Sequence, residues 1–339
     1  MHYTSKMLMQ VLDDDVTGHE AAKKALIAML NRSRVRCNQK YVKLMNDEFL
    51  IKPLKLLLIG ASGTGKTHLV NTLSRVCCVP LIKIDATDLV PTGGSGGIKS
   101  EKLYKMIVDE SEMIARMYPK LYPYLEYAVA HAIVYIDEID KLGTSFESSG
   151  NWNKHVQSNF LTLFDNKDEF AGVSFIFSGA FADITKEKPP VKKLGFTYET
   201  EDHHGNDESA LLDEQILKAG IIPELLGRIN MIIELDKFTL EDYTNIIKER
   251  ILPKKMLDLV ALGAPSLDLT NEDVEFIANK AVKSGQGVRY AQREIDRIFL
   301  DHEYNADDCV IRSYNIPIED KSNEEIEGEI NDNSDTIIA

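Results

Sequence analysis

The sequence predicts an α/β protein: a parallel sheet covered by helices, then a small, mainly helical domain and an acidic tail. Five short apolar runs, at 54–60, 81–84, 132–136, 173–177 and 231–235, alternate with helix-like stretches. Such alternation belongs to a parallel sheet buried on both faces. After about Lys237 the apolar spacing becomes helical throughout. From Glu319 onward eight acidic residues stand against Lys321 alone, and so charged a segment without aromatics cannot bury enough surface to fold. The expected division is a large α/β domain at 1–238, a small helical domain at 239–317 and a tail at 318–339.

Each element has its own local reason. Residues 17–36 read as an amphipathic helix, with Ala21, Ala25, Leu26, Ala28, Met29 and Leu30 at helical spacing. Arg32, Arg34 and Arg36 lie at its end, where cations suit the helix dipole. "LKLLLIG" is a buried strand ending in glycine. "LIKIDA" is the next strand, followed by a loop, "PTGGSGG", and a helix, "EKLYKMIVDE". "AIVYI", "VSFIF" and "MIIEL" complete the strands. The polar, Pro-containing segment 184–210 reads as a surface excursion. In the small domain, "TLEDYTNIIKERI" and "TNEDVEFIANKAV" are helices. Thr270 and Asp273 form a capping box on the second, and Val274, Ile277, Ala278, Ala281 and Val282 make its apolar face.

Composition narrows the function. A formal charge of −15 opposes a broad nucleic-acid footprint, which needs a basic surface. There is no apolar run long enough to span a bilayer and no signal peptide, so no membrane partner and a cytoplasmic location are expected. The four cysteines form no CxxC pair, and vicinal Cys77–Cys78 reads as buried helix filler.

The chemistry concentrates at strand ends. "GASGTGKT" (Gly60, Ala61, Ser62, Gly63, Thr64, Gly65, Lys66, Thr67) follows a strand and opens a helix. That context makes it a phosphate-binding loop: backbone N–H groups wrap the phosphates, Lys66 meets the β and γ oxygens, and Thr67 offers a hydroxyl to Mg²⁺. "AIVYIDEID" ends a strand with Asp137, suited to hold Mg²⁺ through water, and Glu138, suited to polarise an attacking water. Two acids after a strand could otherwise cap a helix, but the phosphate loop favours the nucleotide reading. Ser178, ending "VSFIF", can bond the γ-phosphate or the water. Arg228 and Arg289 are surface ion-pair candidates individually. In a ring-shaped NTPase they become an arginine from the neighbouring subunit and one from the lid.

These motifs resemble the AAA+ ATPases, and within them the ClpX/HslU unfoldases, from about Val16 to about Asn305. "GASGTGKT", "IVYIDEIDK", "SGAF", "GIIPELLGR" and the Gly-x-Arg at 287–289 each match a family motif in order. "VTGHEAAKKAL" is similar to the adenine-contacting segment, with Val16 and Thr17 as contacts, although His19 replaces the usual glutamine. The resemblance implies ATP and Mg²⁺ as cofactors, a homo-hexamer, and protein substrates. Lys66, Asp137, Glu138 and Arg228 would then run hydrolysis, and Ser178 and Arg289 would sense the nucleotide.

Further matches concern partners. Leu194, Gly195 and Phe196 stand where ClpX carries the tripeptide that docks on a ClpP-type peptidase; a loop folding back on its own domain is the alternative. Gly93, Gly94, Ser95 and Gly96 occupy the position of the first pore loop, where relatives have an aromatic–aliphatic pair. Glycine and serine offer almost no gripping surface. Trp152, in the region of the second pore loop, can supply some of it. The N-terminal zinc domain of ClpX and the inserted domain of HslU are not seen. Two readings stand. One is an ATP-driven unfoldase that feeds a peptidase, and the other a nucleotide-dependent assembly module that does not thread.

Overall fold

The computed structural model describes residues 4–41, 51–89, 97–143, 150–165, 172–181, 204–262, 267 and 269–304. In chain order these form α1 (Ser5–Asp15), α2 (Glu20–Tyr41), β1 (Lys55–Ile59), α3 (Lys66–Cys77), β2 (Leu81–Asp85), α4 (Ser100–Met117), α5 (Leu125–Val129) and β3 (Ile133–Asp137). Then follow α6 (Gly150–Asp165), β4 (Ser174–Gly179), α7 (His204–Lys218), α8 (Pro223–Leu226) and β5 (Met231–Glu234). The last part contains α9 (Leu240–Ile246), α10 (Leu252–Ala261), α11 (Asn271–Ser284) and α12 (Val288–Tyr304).

The strands pair in parallel in the order β2-β3-β4-β1-β5. The inner strands β3, β4 and β1 are covered on both faces, so their sequences are near-continuous apolar runs. The edges differ: β2 exposes Lys83 and β5 exposes Met231 and Glu234. On one face Leu57, Val134, Ile136, Phe175 and Phe177 pack with Phe160 and Leu163 of α6. On the other, Leu56, Leu58, Tyr135 and Ile176 pack with Leu26 and Met29 of α2 and Leu69 and Leu73 of α3. A separate core holds the last helices together through Ile247, Leu259, Val274, Ile277, Ala278, Ile295 and Phe299.

All five strands fall within a residue or two of their expected positions, and Thr270–Asp273 forms the capping box as read. A second box, Thr239–Asp242, opens α9. Between α9 and α10, residues Ile247–Ile251 adopt π-helical pairing. The following Pro253 lacks the N–H that would serve the carbonyl of Glu249, and the ladder shifts locally to accommodate it.

Four expectations need correction. The first long helix starts at Glu20 rather than 17, because Gly18 and His19 both have positive φ, 66° and 60°, which no right-handed helix contains. Helix α1 was not anticipated; Thr4 caps it and Leu8 and Leu12 bury its one apolar stripe. The excursion at 184–210 gives way to α7 at His204. Cys77 and Cys78 are half-buried, and Cys78 takes the left-handed conformation that ends α3. Gly93, Gly94, Ser95, Gly96, Leu194, Gly195, Phe196 and the tail lie outside the described residues. Among the described residues no helix is long and apolar enough to cross a membrane.

Candidate nucleotide site

Strand β1, an inner strand between β4 and β5, delivers Gly60 to Thr67 to the start of α3. Gly60 N–H donates to Gly179 O of β4 at 3.2 Å, which anchors the loop's first residue. Thr64 turns back on Ala61 through its N–H and its hydroxyl, at 3.3 and 2.9 Å. Gly65 caps α3 with φ 91°, and a Cβ there would meet nothing within 4 Å. The surface over the helix N-terminus is thus open backbone, the cradle an anion requires. Lys66 Nζ reaches across this cradle to the carbonyls of Gly60 and Ala61, the latter at 3.0 Å. Burial lowers its pKa, against the upward pull of Asp137 and Asp140.

Beneath the cradle, four side chains close a hydrogen-bonded ring. Thr67 Oγ1 donates to Asp137 Oδ2 at 3.0 Å, and Ser178 Oγ donates to Asp137 Oδ1 at 2.5 Å. The Tyr135 hydroxyl bridges the other side, 2.7 Å from Ser178 Oγ and 3.1 Å from Thr67 Oγ1. The structure brings Thr67, Asp137 and Ser178 together; sequence reading names these three but passes over Tyr135. The available signal was strand periodicity: Tyr135 shares a face with Asp137 two residues on, and a phenol in a buried strand needs a partner. Hydroxyl and carboxylate oxygens so close form a hard donor set that fits Mg²⁺.

Glu138 follows Asp137 in a left-handed conformation, φ 59°, and its N–H donates to Asp137 Oδ1 at 3.0 Å. Its carboxylate pairs with Lys141, whose pKa that bond raises. Asp140 Oδ2 accepts the Phe181 N–H at 3.1 Å, and Phe181 also has positive φ, 44°. Asp140 therefore pins the turn after Ser178, which joins two motifs whose bonded residues stand 41 positions apart in the sequence.

The segment before α2 crosses the loop from the side. Val16 is buried in the core and Thr17 half-buried; the Val16 carbonyl accepts the ammonium of buried Lys23 at 2.5 Å. His19, 1 % exposed, does more than substitute for glutamine. Its Nδ1 accepts the Asp236 N–H at 3.1 Å, which leaves Nε2–H to donate to Thr64 O at 2.7 Å. Its own N–H donates to Asp236 Oδ2 at 2.8 Å. One neutral imidazole thus ties the phosphate loop to the residues that lead into α9.

The last helices close over the same loop. Gly63 (φ 79°) and Gly287 (φ 67°) meet backbone to backbone: a Cβ on Gly287 would lie 2.6 Å from Gly63 C and O. Val288 N–H donates to Gly63 O at 3.2 Å, and Arg289 Nη1 donates to Ser62 Oγ at 3.0 Å. Arg289 therefore stands at the loop, as expected of a lid residue. Arg228 does not join this group. It pairs with Asp165 at 2.8 Å beside Lys55, at the start of β1. The four residue steps from Lys55 to Ile59 separate it from the phosphate loop by about 13 Å. Trp152 lies on α6, 47 % exposed.

A phosphate loop at the end of a central parallel strand, an Asp–Glu pair on β3 and a serine on β4 define a P-loop nucleotide hydrolase with a helical lid. Residues 56–191 match the family model for the ATPase family associated with various cellular activities (AAA). The chain is 31% identical over 325 residues to the ATP-dependent Clp protease ATP-binding subunit ClpX 2 of Wolinella succinogenes, covering 86% of this chain and 75% of that protein. It is 27% identical over 349 residues to the ATP-dependent Clp protease ATP-binding subunit ClpX of Treponema denticola, covering 89% and 77%. The chain belongs to the ClpX-like AAA+ ATPases, a family of ATP-dependent Clp-type unfoldases, and it hydrolyses ATP.

Proposed function

We propose that the chain is the subunit of a homo-hexameric, ATP-driven protein unfoldase in which each hydrolytic site is completed by a neighbour. The position of Arg228 carries this reading: it lies a full strand length from the chain's own phosphate loop, beside the start of β1 rather than its end. A guanidinium that stabilises transition-state charge has to touch the phosphates, so Arg228 serves a neighbouring subunit. The last helices add support, since Leu257, Val260, Phe276, Leu300 and Tyr304 are all more than half exposed, large apolar side chains suited to burial between subunits.

Within one site, Lys66 leaves the Gly60 and Ala61 carbonyls for the β and γ oxygens. Thr67 and Asp137 would hold Mg²⁺, which would supply charge neutralisation at the phosphates. Glu138 releases Lys141 and takes a proton from the attacking water. Ser178 bonds the γ-phosphate, Arg289 couples the lid to it, and Val16 and Thr17 line the adenine.

The test is subunit mixing. Arg228→Ala should bind ATP with near-normal affinity but lose 10³-fold or more of its hydrolysis, about the contribution of an arginine finger. Lys66→Ala should fail to bind. Mixed, the two should recover hydrolysis, because a Lys66→Ala subunit can lend its Arg228 to a neighbour's intact loop. An Arg228→Ala protein with normal turnover, or a mixture as inactive as its parts, would overturn the reading.

A ClpP-like peptidase is the proposed partner of the Leu194–Gly195–Phe196 segment, where a Leu and a Phe in a polar stretch of sequence call for a pocket. The glycines at 93–96 favour a second reading: an ATPase that assembles and binds a partner protein or the peptidase without threading a chain.

A further inference from the structure

The hydroxyl ring beneath the phosphate loop has more oxygens than protons to join them. Thr67 and Ser178 each spend their one hydroxyl proton on the Asp137 carboxylate, at 3.0 and 2.5 Å. A carboxylate can only accept. The two remaining links, Tyr135 to Ser178 at 2.7 Å and Tyr135 to Thr67 at 3.1 Å, must share the single phenolic proton. The shorter link receives it, so Tyr135 donates to Ser178 Oγ. Tyr135 is 1 % exposed and packs in the same core as Leu58, Ile133 and Ile176, so its ring is held in place and its hydroxyl is aimed at the two oxygens.

We propose that Tyr135 is a positioning residue: its hydroxyl fixes the oxygen of Ser178 as a pivot, about which the Ser178 proton swings from Asp137 to the γ-phosphate. This rests on Ser178 being the γ-phosphate contact. Ser178 cannot serve two acceptors: while its proton lies on Asp137 it has none for the nucleotide. Turning the proton outward would leave Asp137 Oδ1 with the Glu138 N–H alone, able to serve a metal's water shell, and the phenol is the side-chain partner among the described residues that Ser178 Oγ keeps during that turn. Thr67 gains from the same geometry. When its oxygen faces the metal its proton stays on Asp137, and the Tyr135 proton remains with Ser178. One buried phenol thereby links metal binding to triphosphate recognition.

The experiment compares Tyr135→Phe, Ser178→Ala and the double variant. Phenylalanine keeps the ring and its packing, so far-UV circular dichroism and melting should show an intact fold. Two quantities are read: turnover, and the ratio of affinities for a non-hydrolysable ATP analogue and for ADP, both with Mg²⁺. Tyr135→Phe should leave ADP affinity unchanged and lower both turnover and the analogue preference about tenfold, the size of one lost hydrogen bond. The double variant should be no worse than Ser178→Ala, because the phenol acts through that serine. Unaltered preference in Tyr135→Phe beside an impaired Ser178→Ala, or effects of the two that add, would overturn the pivot alone. An unaltered preference in Ser178→Ala would remove the serine's assignment, and the pivot with it.

Discussion

At the scale of single residues, the site is built from groups held in costly states. His19 and Glu138 both sit at positive φ, where a side chain costs about 1–2 kcal/mol, and both are positioned by specific partners. His19 also carries a pH dependence. Burial holds its imidazole below the ordinary 6.5, against the opposing pull of the Thr64 carbonyl and Asp236; His131, also buried, is shifted the same way. The unfolded chain therefore binds these protons first as pH falls, and stability drops as pH is lowered below about 6.5 while staying flat above it. Melting measured from pH 7.5 to 5.5 should show this slope. In His19→Gln it should be shallower, with ATP affinity largely kept, whereas His19→Ala should weaken ATP binding because Thr64 O and the Asp236 N–H both lose their partner.

At the scale of elements, the phosphate loop and the last helices meet through backbone. Gly63 on the phosphate loop and Gly287 before α12 approach too closely for any side chain. Gly285, two residues away, also has positive φ, 64°, but a Cβ there would meet nothing within 4 Å. The pair makes a controlled experiment. Gly285→Ala should cost only the backbone strain, about 1–2 kcal/mol in lid stability, and leave nucleotide affinity intact. Gly287→Ala should add a clash with Gly63, displace Arg289 from Ser62 and reduce ATP affinity tenfold or more. Equal effects of the two on affinity, read by titration with a fluorescent nucleotide, would mean the close approach does not govern binding.

At the scale of the whole molecule, the question is whether ATP turnover is harnessed to pulling. In the proposed reading the chain itself carries the nucleotide machinery except for the arginine that a neighbour would supply. The expected gripping position holds Gly93, Gly94, Ser95 and Gly96, with Trp152 exposed on α6 as the aromatic on offer. A stably folded fluorescent protein with an unstructured tail separates the two readings. If the chain threads its substrate, the unaltered protein with ATP should extinguish fluorescence, and Trp152→Ala should slow it severalfold at constant ATPase rate. If it does not thread, ATP should be consumed without loss of fluorescence, and Gly94→Tyr should confer unfolding.

Much of this was legible without coordinates. The strands were visible because an inner parallel strand is buried on both faces and reads as an unbroken apolar run, as in "LKLLLIG" and "VSFIF". Lys66, Thr67, Asp137 and Glu138 were visible because phosphate and metal chemistry demands those types at those spacings. Less visible was whatever depends on contacts between distant segments. Tyr135 looked like one more apolar strand residue until Ser178 and Thr67 were placed around its hydroxyl. His19 looked like a departure from a motif until its ring was found between Thr64 and Asp236. Local chemistry decides which residues can bind a phosphate, and the sequence by itself determined that for this protein. Only the tertiary structure decided which of them share protons, which glycines touch, and that Arg228 faces away from its own loop, because those depend on distances that spacing along a chain does not encode.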